Sequence, residues 1–387
     1  MIPSTVIALG LVSLLTDFSS EMIYPLLPVF LTTVLGAGAF SIGLIEAVAE
    51  MTASLLKIVS GYLADRTGRK KPIVLGGYSV SSIMRPFMGI ATAWPQVFLF
   101  RFMDRVGKGL RTSPRDALIA DVAGRAIRGR AFGLHRAMDH AGAVMGPLLA
   151  VLLIRGYGMD MRSVFLLSAV PGLIVILILV FFVRERKGEA DPQRQEETLP
   201  CSTPVFGKNF VVFLVGLSVF TLGNSSDAFL LLRLQHEGVS PADTALLWSG
   251  LHLVKMFSTY TGGRLSDRLG KKVMLISGWL YYSIIYLLFA FMAGKVEVVI
   301  IFLSYGIYYG LTEPAERVWV SRLVKKEARG RAYGVYHGAV GMMSLPSSIV
   351  FGLIWERWGH EYAFLTGGLL ALLSSVIILF VKEGSDR

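Results

Sequence analysis

An all-α membrane fold of twelve transmembrane helices, arranged as two pseudo-symmetric bundles of six, follows from three observations: apolar runs of spanning length, a composition too poor in charge for a water-facing surface, and an internal duplication. Of 387 residues, 53% are hydrophobic and only 17% charged, and the mean hydropathy is +0.59. A bilayer is the solvent that suits such a chain. The formal net charge of +11 does not point to nucleic acid, because the Lys and Arg residues lie in short segments between apolar runs. The single cysteine, Cys201, excludes an intrachain disulfide and a cysteine metal cluster, and no metal site is expected.

Apolar runs near the ~20 residues that cross a ~30 Å hydrocarbon core cover 5–34, 42–63, 73–92, 97–119, 131–154 and 163–183, then 209–232, 242–262, 273–293, 296–321, 331–354 and 362–381. They are twice the length of barrel strands and do not alternate in polarity, so helices are predicted. The first run is too long, and too rich in prolines and carboxylates, for a cleavable leader, and reads as a span. Arg66, Arg69, Lys70 and Lys71 follow the second run, and Arg125, Arg128 and Arg130 the fourth. Arg268, Lys271 and Lys272 follow the eighth, and Lys325, Lys326, Arg329 and Arg331 the tenth. The opposite connections are short and nearly neutral, which predicts a multi-pass protein of the cell (inner) membrane with both termini cytoplasmic. Residues 184–208 turn to charged, Gln-, Glu- and Pro-containing sequence, a cytoplasmic linker between bundles 1–183 and 209–387.

The two halves repeat each other. Gly61-Tyr62-Leu63-Ala64-Asp65-Arg66-Thr67-Gly68-Arg69-Lys70 recurs as Gly263-Arg264-Leu265-Ser266-Asp267-Arg268-Leu269-Gly270-Lys271-Lys272, and Arg128-Gly129-Arg130-Ala131-Phe132-Gly133 as Arg329-Gly330-Arg331-Ala332-Tyr333-Gly334. The offsets, 202 and 201 residues, agree on one duplication. A weaker match pairs Ser19-Ser20-Glu21 with Ser225-Ser226-Asp227.

With these loops the chain resembles the major facilitator superfamily over essentially its whole length. The resemblance implies that Gly61, Asp65, Arg66, Gly68 and Arg69, with Gly263, Asp267, Arg268 and Gly270, form conformational-switch loops of the kind called motif A. A carboxylate there can cap the positive N-terminus of a helix from the other half, latching one side shut. Arg105-Val106-Gly107-Lys108-Gly109 is similar to the family's motif B, with Lys108 where Gln is usual. Gly142, Gly146 and Pro147 are similar to motif C of the proton-driven antiporters, with Ala150 in place of a Gly; Pro25-Leu26-Leu27-Pro28 is also similar to the drug-efflux branch.

Ionisable side chains inside a bilayer each cost at least ~2.5 kcal/mol, so they face protein or a wet passage. Asp17 and Glu21 lie one helical turn apart, and Glu46, Glu50 and Lys57 share a face. In the fourth run Arg101, Asp104, Arg105, Lys108, Arg111 and Arg115 fall within a stripe ~120° wide. Arg85, His135, Arg136, Asp139 and His140 add to the first half, whereas the second holds only Asp227, His252, Lys255, Glu313, Glu316 and Arg317. Asp17, Glu21, Glu50, Asp104 and Asp139 are the proton-coupling candidates, with Arg105 as movable counter-ion. Arg85, Arg101, Lys108, Asp227, His252, Lys255, Tyr305, Tyr309 and Glu313 are candidates to line a substrate cavity. Glu50 and His252 are equivalent under the duplication, and tyrosines 281, 282, 286, 305, 308 and 309 fit either substrate stacking or lipid contact.

The expected function is alternating-access transport of a small organic solute by a monomer, driven by a proton gradient without a cofactor and coupled as efflux. Uptake or exchange of an anionic metabolite is the alternative, motivated by the cationic stripe. A membrane enzyme or sensor is disfavoured: there is no Walker loop, no Gly-x-Ser-x-Gly elbow and no His-Glu-x-x-His site.

Overall fold

A computed structural model describes residues 2–27, 30–37, 39–185, 206–239 and 241–381, with backbone alone for 32, 39–44, 46, 47, 228 and 241–245. Most of the expected linker, including Cys201, lies outside the described residues, as do Pro28 and the Glu46 side chain.

Twelve spans account for the helices. Span one is Ser4–Glu21 followed by a turn and the π-helical Phe30–Val34; spans two to five are Ala39–Thr67, Lys70–Phe87, Trp94–Val122 and Arg128–Val151. Span six is Met161–Leu167 with Ala169–Phe181, and span seven is Lys208–Gly223 with Ala228–His236. Spans eight to twelve are Pro241–Leu269, Lys271–Phe291, Lys295–Leu323, Arg329–Trp358 and His360–Leu379. No strand occurs among the described residues.

Hydropathy and helix do not coincide everywhere. Six helical segments among the described residues are both long and apolar enough to cross a membrane by themselves. Span four carries its charged stripe, and span seven breaks after Gly223, leaving Lys208–Gly223 as a shorter apolar helix. The expected runs 5–34 and 209–232 are interrupted after Glu21 and between Gly223 and Ala228, at equivalent places in the duplication. In span one Pro25 lacks the N–H that would continue the helix; in span seven Asn224 leaves the helical region at φ −92°, ψ 84°. The breaks place Glu21 and Asp227 at helix ends, where side chains can turn inward.

Span one packs on five, two on four, three on four, seven on twelve, eight on ten and nine on twelve. Contacts between the first six spans and the last six run mainly through five against eight and eleven against two. The last six spans hold a dense aromatic core, with Phe220 stacked on Trp279 at 4.8 Å and Tyr282 on Tyr286 at 4.1 Å. Tyr282, Tyr286 and Tyr305 are fully buried in it, away from lipid.

Candidate functional site

The charged stripe of span four faces protein, as the cost of ions in lipid requires: Arg101, Asp104, Arg111 and Arg115 are each under a tenth exposed. Against it lies a cavity of about 270 Å³ lined by Asp17, Ser20, Glu21, Tyr24, Glu50, Arg85, Arg105, Lys108 and Arg111. Seven of those nine residues are ionisable acids or bases, contributed by spans one to four. Lys108 stands within electrostatic reach of both Glu50 and Asp17, and Glu21 within reach of Arg105.

Beneath the wall is a tighter cluster. Asp104, 2% exposed, receives Arg85 Nε at 3.0 Å and lies 3.6 Å from Arg101 Nη1 and 3.7 Å from Arg105 Nε. Arg85 also donates to the Thr16 carbonyl at 2.8 Å, tying span three to span one. Asp104 is thus shared among three guanidinium groups and does not open to the cavity, unlike Asp17, Glu21 and Glu50. Asp139 is likewise buried, accepting from Ser13 and Arg136. Beside it span five packs closely on span one: a Cβ on Gly142 would stand 2.2 Å from the Leu14 carbonyl oxygen, and one on Gly146 2.7 Å from that of Phe18. The Gly142-x-x-x-Gly146 step therefore brings span five against the turn that carries Asp17 and Glu21, and Pro147 lies inside span five one residue further on.

In the last six spans Asp227, Lys255, Tyr305 and Tyr309 meet. Lys255 Nζ is 3.1 Å from Asp227 Oδ2, and both tyrosine hydroxyls donate to the same carboxylate. His252 lies beside Trp248 and across from His140 of span five, with ring centroids 5.0 and 5.6 Å apart.

The basic end of the bundle is shut by two equivalent latches. Asp65 accepts from the backbone N–H groups of Gly330 and Arg331 at 2.8 and 2.7 Å. Asp267 accepts from Gly129 and Arg130 at 2.8 and 2.9 Å. Each carboxylate caps the first turn of a helix in the opposite half, where unpaired amides and the helix dipole favour a negative charge. Glycine is required at these crossings: a Cβ on Gly61 would lie 2.2 Å from the Gly330 carbonyl oxygen, and one on Gly263 2.5 Å from that of Gly129. Gly68 and Gly270 turn the following loops with φ of 63° and 90°, while Arg66, Arg69 and Arg268 are exposed.

Further contacts across the halves lie inside the latches, and the sequence reading missed them. Asp121 receives Arg329 Nη1 at 2.5 Å and Lys70 Nζ at 2.8 Å. Asp116, fully buried, is held by Arg115 and by His337 Nε2 at 2.7 Å. Glu313 takes a two-pronged bond from Arg136, Nε at 2.8 Å and Nη2 at 2.7 Å, with His140 Nε2 at 3.6 Å. Arg136 and His337 are equivalent under the 201-residue offset, so spans five and eleven each send one basic side chain across to an acid on span ten or four. The available signal was Thr112-Ser113-Pro114-Arg115-Asp116 beside Thr312-Glu313-Pro314-Ala315-Glu316, a further repeated segment.

Comparison with known proteins agrees with this architecture. The model of the Major Facilitator Superfamily matches residues 9–345 and 233–387. An uncharacterized MFS-type transporter of Methanocaldococcus jannaschii, MJ1317, is 33% identical over 379 residues, 96% of this chain and 94% of its own. The multi-drug resistance efflux pump PmrA of Streptococcus pneumoniae is 25% identical over 94% of this chain and 92% of its own. Among solved structures, the human organic anion transporter MFSD10 superimposes with a TM-score of 0.78 at 15% identity, covering 97% of this chain and 99% of its own. The proton:xylose symporter XylE gives 0.75 at 16%, covering 98% and 95%. A helical, duplicated, multi-pass membrane chain with a charged internal cavity, matched over nearly its whole length by the family's model and by these transporters, belongs to the Major Facilitator Superfamily.

Proposed function

We propose that this chain exports a small organic solute in exchange for protons, its two six-helix halves, 1–183 and 209–387, rocking about the space between them. The observation that carries the reading is the placing of Asp17, Glu21 and Glu50 on one membrane-embedded cavity with Arg105 and Lys108. A carboxylate there takes up a proton when a neighbouring cation moves away or water leaves, and releases it when either returns. Asp17 and Glu21 stand on the span that contacts the glycines of span five, so a shift of five against one alters their surroundings. Export is supported by the likeness to the multi-drug resistance efflux pump PmrA.

In this reading the basic connections and both termini face the cytoplasm of the cell (inner) membrane. The latched end is then cytoplasmic. The energy source is the proton gradient, with no cofactor, and the monomer is the working unit. Proteoliposomes with an imposed pH gradient test it. Solute movement indifferent both to the gradient and to Asp17→Asn with Glu21→Gln removes the proton from the mechanism.

A second reading, exchange of an anionic metabolite, is favoured by one observation: Arg85, Arg105, Lys108 and Arg111 outnumber the three carboxylates on the cavity. Loss of anion binding in Arg105→Ala and Lys108→Ala supports it, whereas loss of coupling with binding intact supports the first.

A further inference from the structure

The interruption of span seven delivers Asp227 to spans eight and ten. Tyr305 Oη donates to Asp227 Oδ1 at 3.1 Å, Tyr309 Oη to Oδ2 at 3.2 Å, and Lys255 Nζ to Oδ2 at 3.1 Å. The same ammonium stands 3.9 Å from the centroid of the Tyr309 ring, 5.4 Å from that of Trp248 and 6.0 Å from that of Tyr305. One carboxylate, two phenol donors and three aromatic faces around a single nitrogen form the environment that recognises an organic ammonium group. Here the nitrogen belongs to the protein.

Lys255 is 3% exposed, whereas Asp227, Trp248 and Tyr309 are partly open, so an arriving group meets the cage walls before the resident cation. A lysine ammonium rides on a flexible four-carbon stem and can withdraw without moving its helix. His252, one turn after Trp248 on span eight and in ring contact with it, extends the wall. An anion entering instead would approach Lys255 beside the Asp227 carboxylate and against the negative faces of the rings.

We propose that Asp227, Trp248, Tyr305 and Tyr309 bind the ammonium group of the transported solute, and that Lys255 occupies this cage until the solute displaces it. The cargo class is accordingly an alkyl- or arylammonium compound. The assignment rests on the transport reading above and deepens it: Lys255 acts as a tethered competitor that keeps Asp227 neutralised when the site holds no cargo. Leaving that carboxylate unpaired while the halves move would be costly.

Equilibrium binding of radiolabelled benzyltrimethylammonium to the purified full-length chain in detergent, with no gradient, tests it, with benzoate as the anion of similar size. Lys255→Ala and Lys255→Met are expected to tighten cation binding by about tenfold, the competitor having been removed. Asp227→Asn and Tyr309→Leu are expected to weaken it by about tenfold or more. Thermal melting and size-exclusion profiles matching wild type establish that each variant is folded; having two lysine variants keeps the test intact if one misfolds. Affinity unchanged or weakened in both lysine variants, absence of cation binding in every form, or benzoate binding that depends on Lys255 would each overturn the assignment. Because no gradient is present, a failure of proton coupling leaves this result untouched. Gradient-driven transport of a solute lacking an ammonium group, with no cation binding, sinks the cage and keeps the exchange.

Discussion

Neutralising the two capping carboxylates tests how the basic end is held shut. Asp65→Asn and Asp267→Asn each keep the size of the side chain and one acceptor oxygen, but lose the charge and one of two amide bonds. A hydrogen bond to a charged group contributes about 1.5–3 kcal/mol, and a carboxylate at a helix N-terminus a further ~0.3–1 kcal/mol. With the retained oxygen still bonded, about 2 kcal/mol per latch is a fair loss, or roughly thirtyfold in the closed-to-open ratio. The latches share no partner and act on different helices, so their losses should add, to about 4 kcal/mol or roughly a thousandfold. The measurement is a distance distribution between spin labels at Ala126 and Leu269, exposed positions on opposite sides of the Asp267 latch, in a chain with Cys201 replaced by Ser. Wild type should give a short distance, each single variant a second, longer population, and the double variant mainly the longer one. A short, unbroadened distance in the double variant would refute the reasoning, because closure would then rest on packing alone.

Other outcomes follow from the same geometry. Gly263→Val puts branched carbon where even a Cβ would stand 2.5 Å from the Gly129 carbonyl oxygen, so the basic end should fail to close, with maleimide labelling of an Ala126→Cys reporter accelerated. Glu313→Gln removes the two-pronged partner of Arg136 while Asp139 keeps its own bond to that guanidinium, so the loss should fall below the about 3–5 kcal/mol of a fully unpaired buried charge; a lowered melting temperature, partly restored in Arg136→Gln/Glu313→Gln, is the expected reading. Glu237, beyond the end of span seven, is held at about 2 by its hydrogen bonds from Arg233 and the Gly294 amide, against an ordinary 4.5. A depressed carboxylate stabilises the fold above its unfolded value and loses that contribution as pH falls. The melting difference between wild type and Glu237→Gln should therefore be full near neutrality and shrink as pH drops below 4.5 toward 2.

The fold was readable because lipid forces every backbone group into a helix and because the duplicated loops repeat in register. The latches were readable for a related reason: Asp65 and Asp267 sit in a pattern of glycines and bases that topology alone does not demand. The charged stripe of span four was legible as a face, yet periodicity could not say which acid met which base. Asp104 turned out to be shared among Arg85, Arg101 and Arg105 beneath the cavity wall, while Asp17, Glu21 and Glu50 line it. Contacts such as Asp116 with His337 join residues 221 apart, and hydropathy carries no information about which helices adjoin. The breaks in spans one and seven were hidden because each lies within a run that is apolar on both sides; only the backbone shows that Glu21 and Asp227 stand at helix ends.

The donors that hold each latch at under 3 Å are main chain, with the Arg331 and Arg130 side chains farther off at 3.4 Å from Asp65 and Asp267. The amides of Arg331 and Arg130 exist whatever side chains those two positions carry, apart from proline, so the two partners of one contact face unequal genetic risk. A saturation scan should find almost every change at 65 or 267 damaging, yet broad tolerance at 130 and 331 for anything except proline. Lineages could accordingly redecorate the loop surface freely while the gate keeps its geometry.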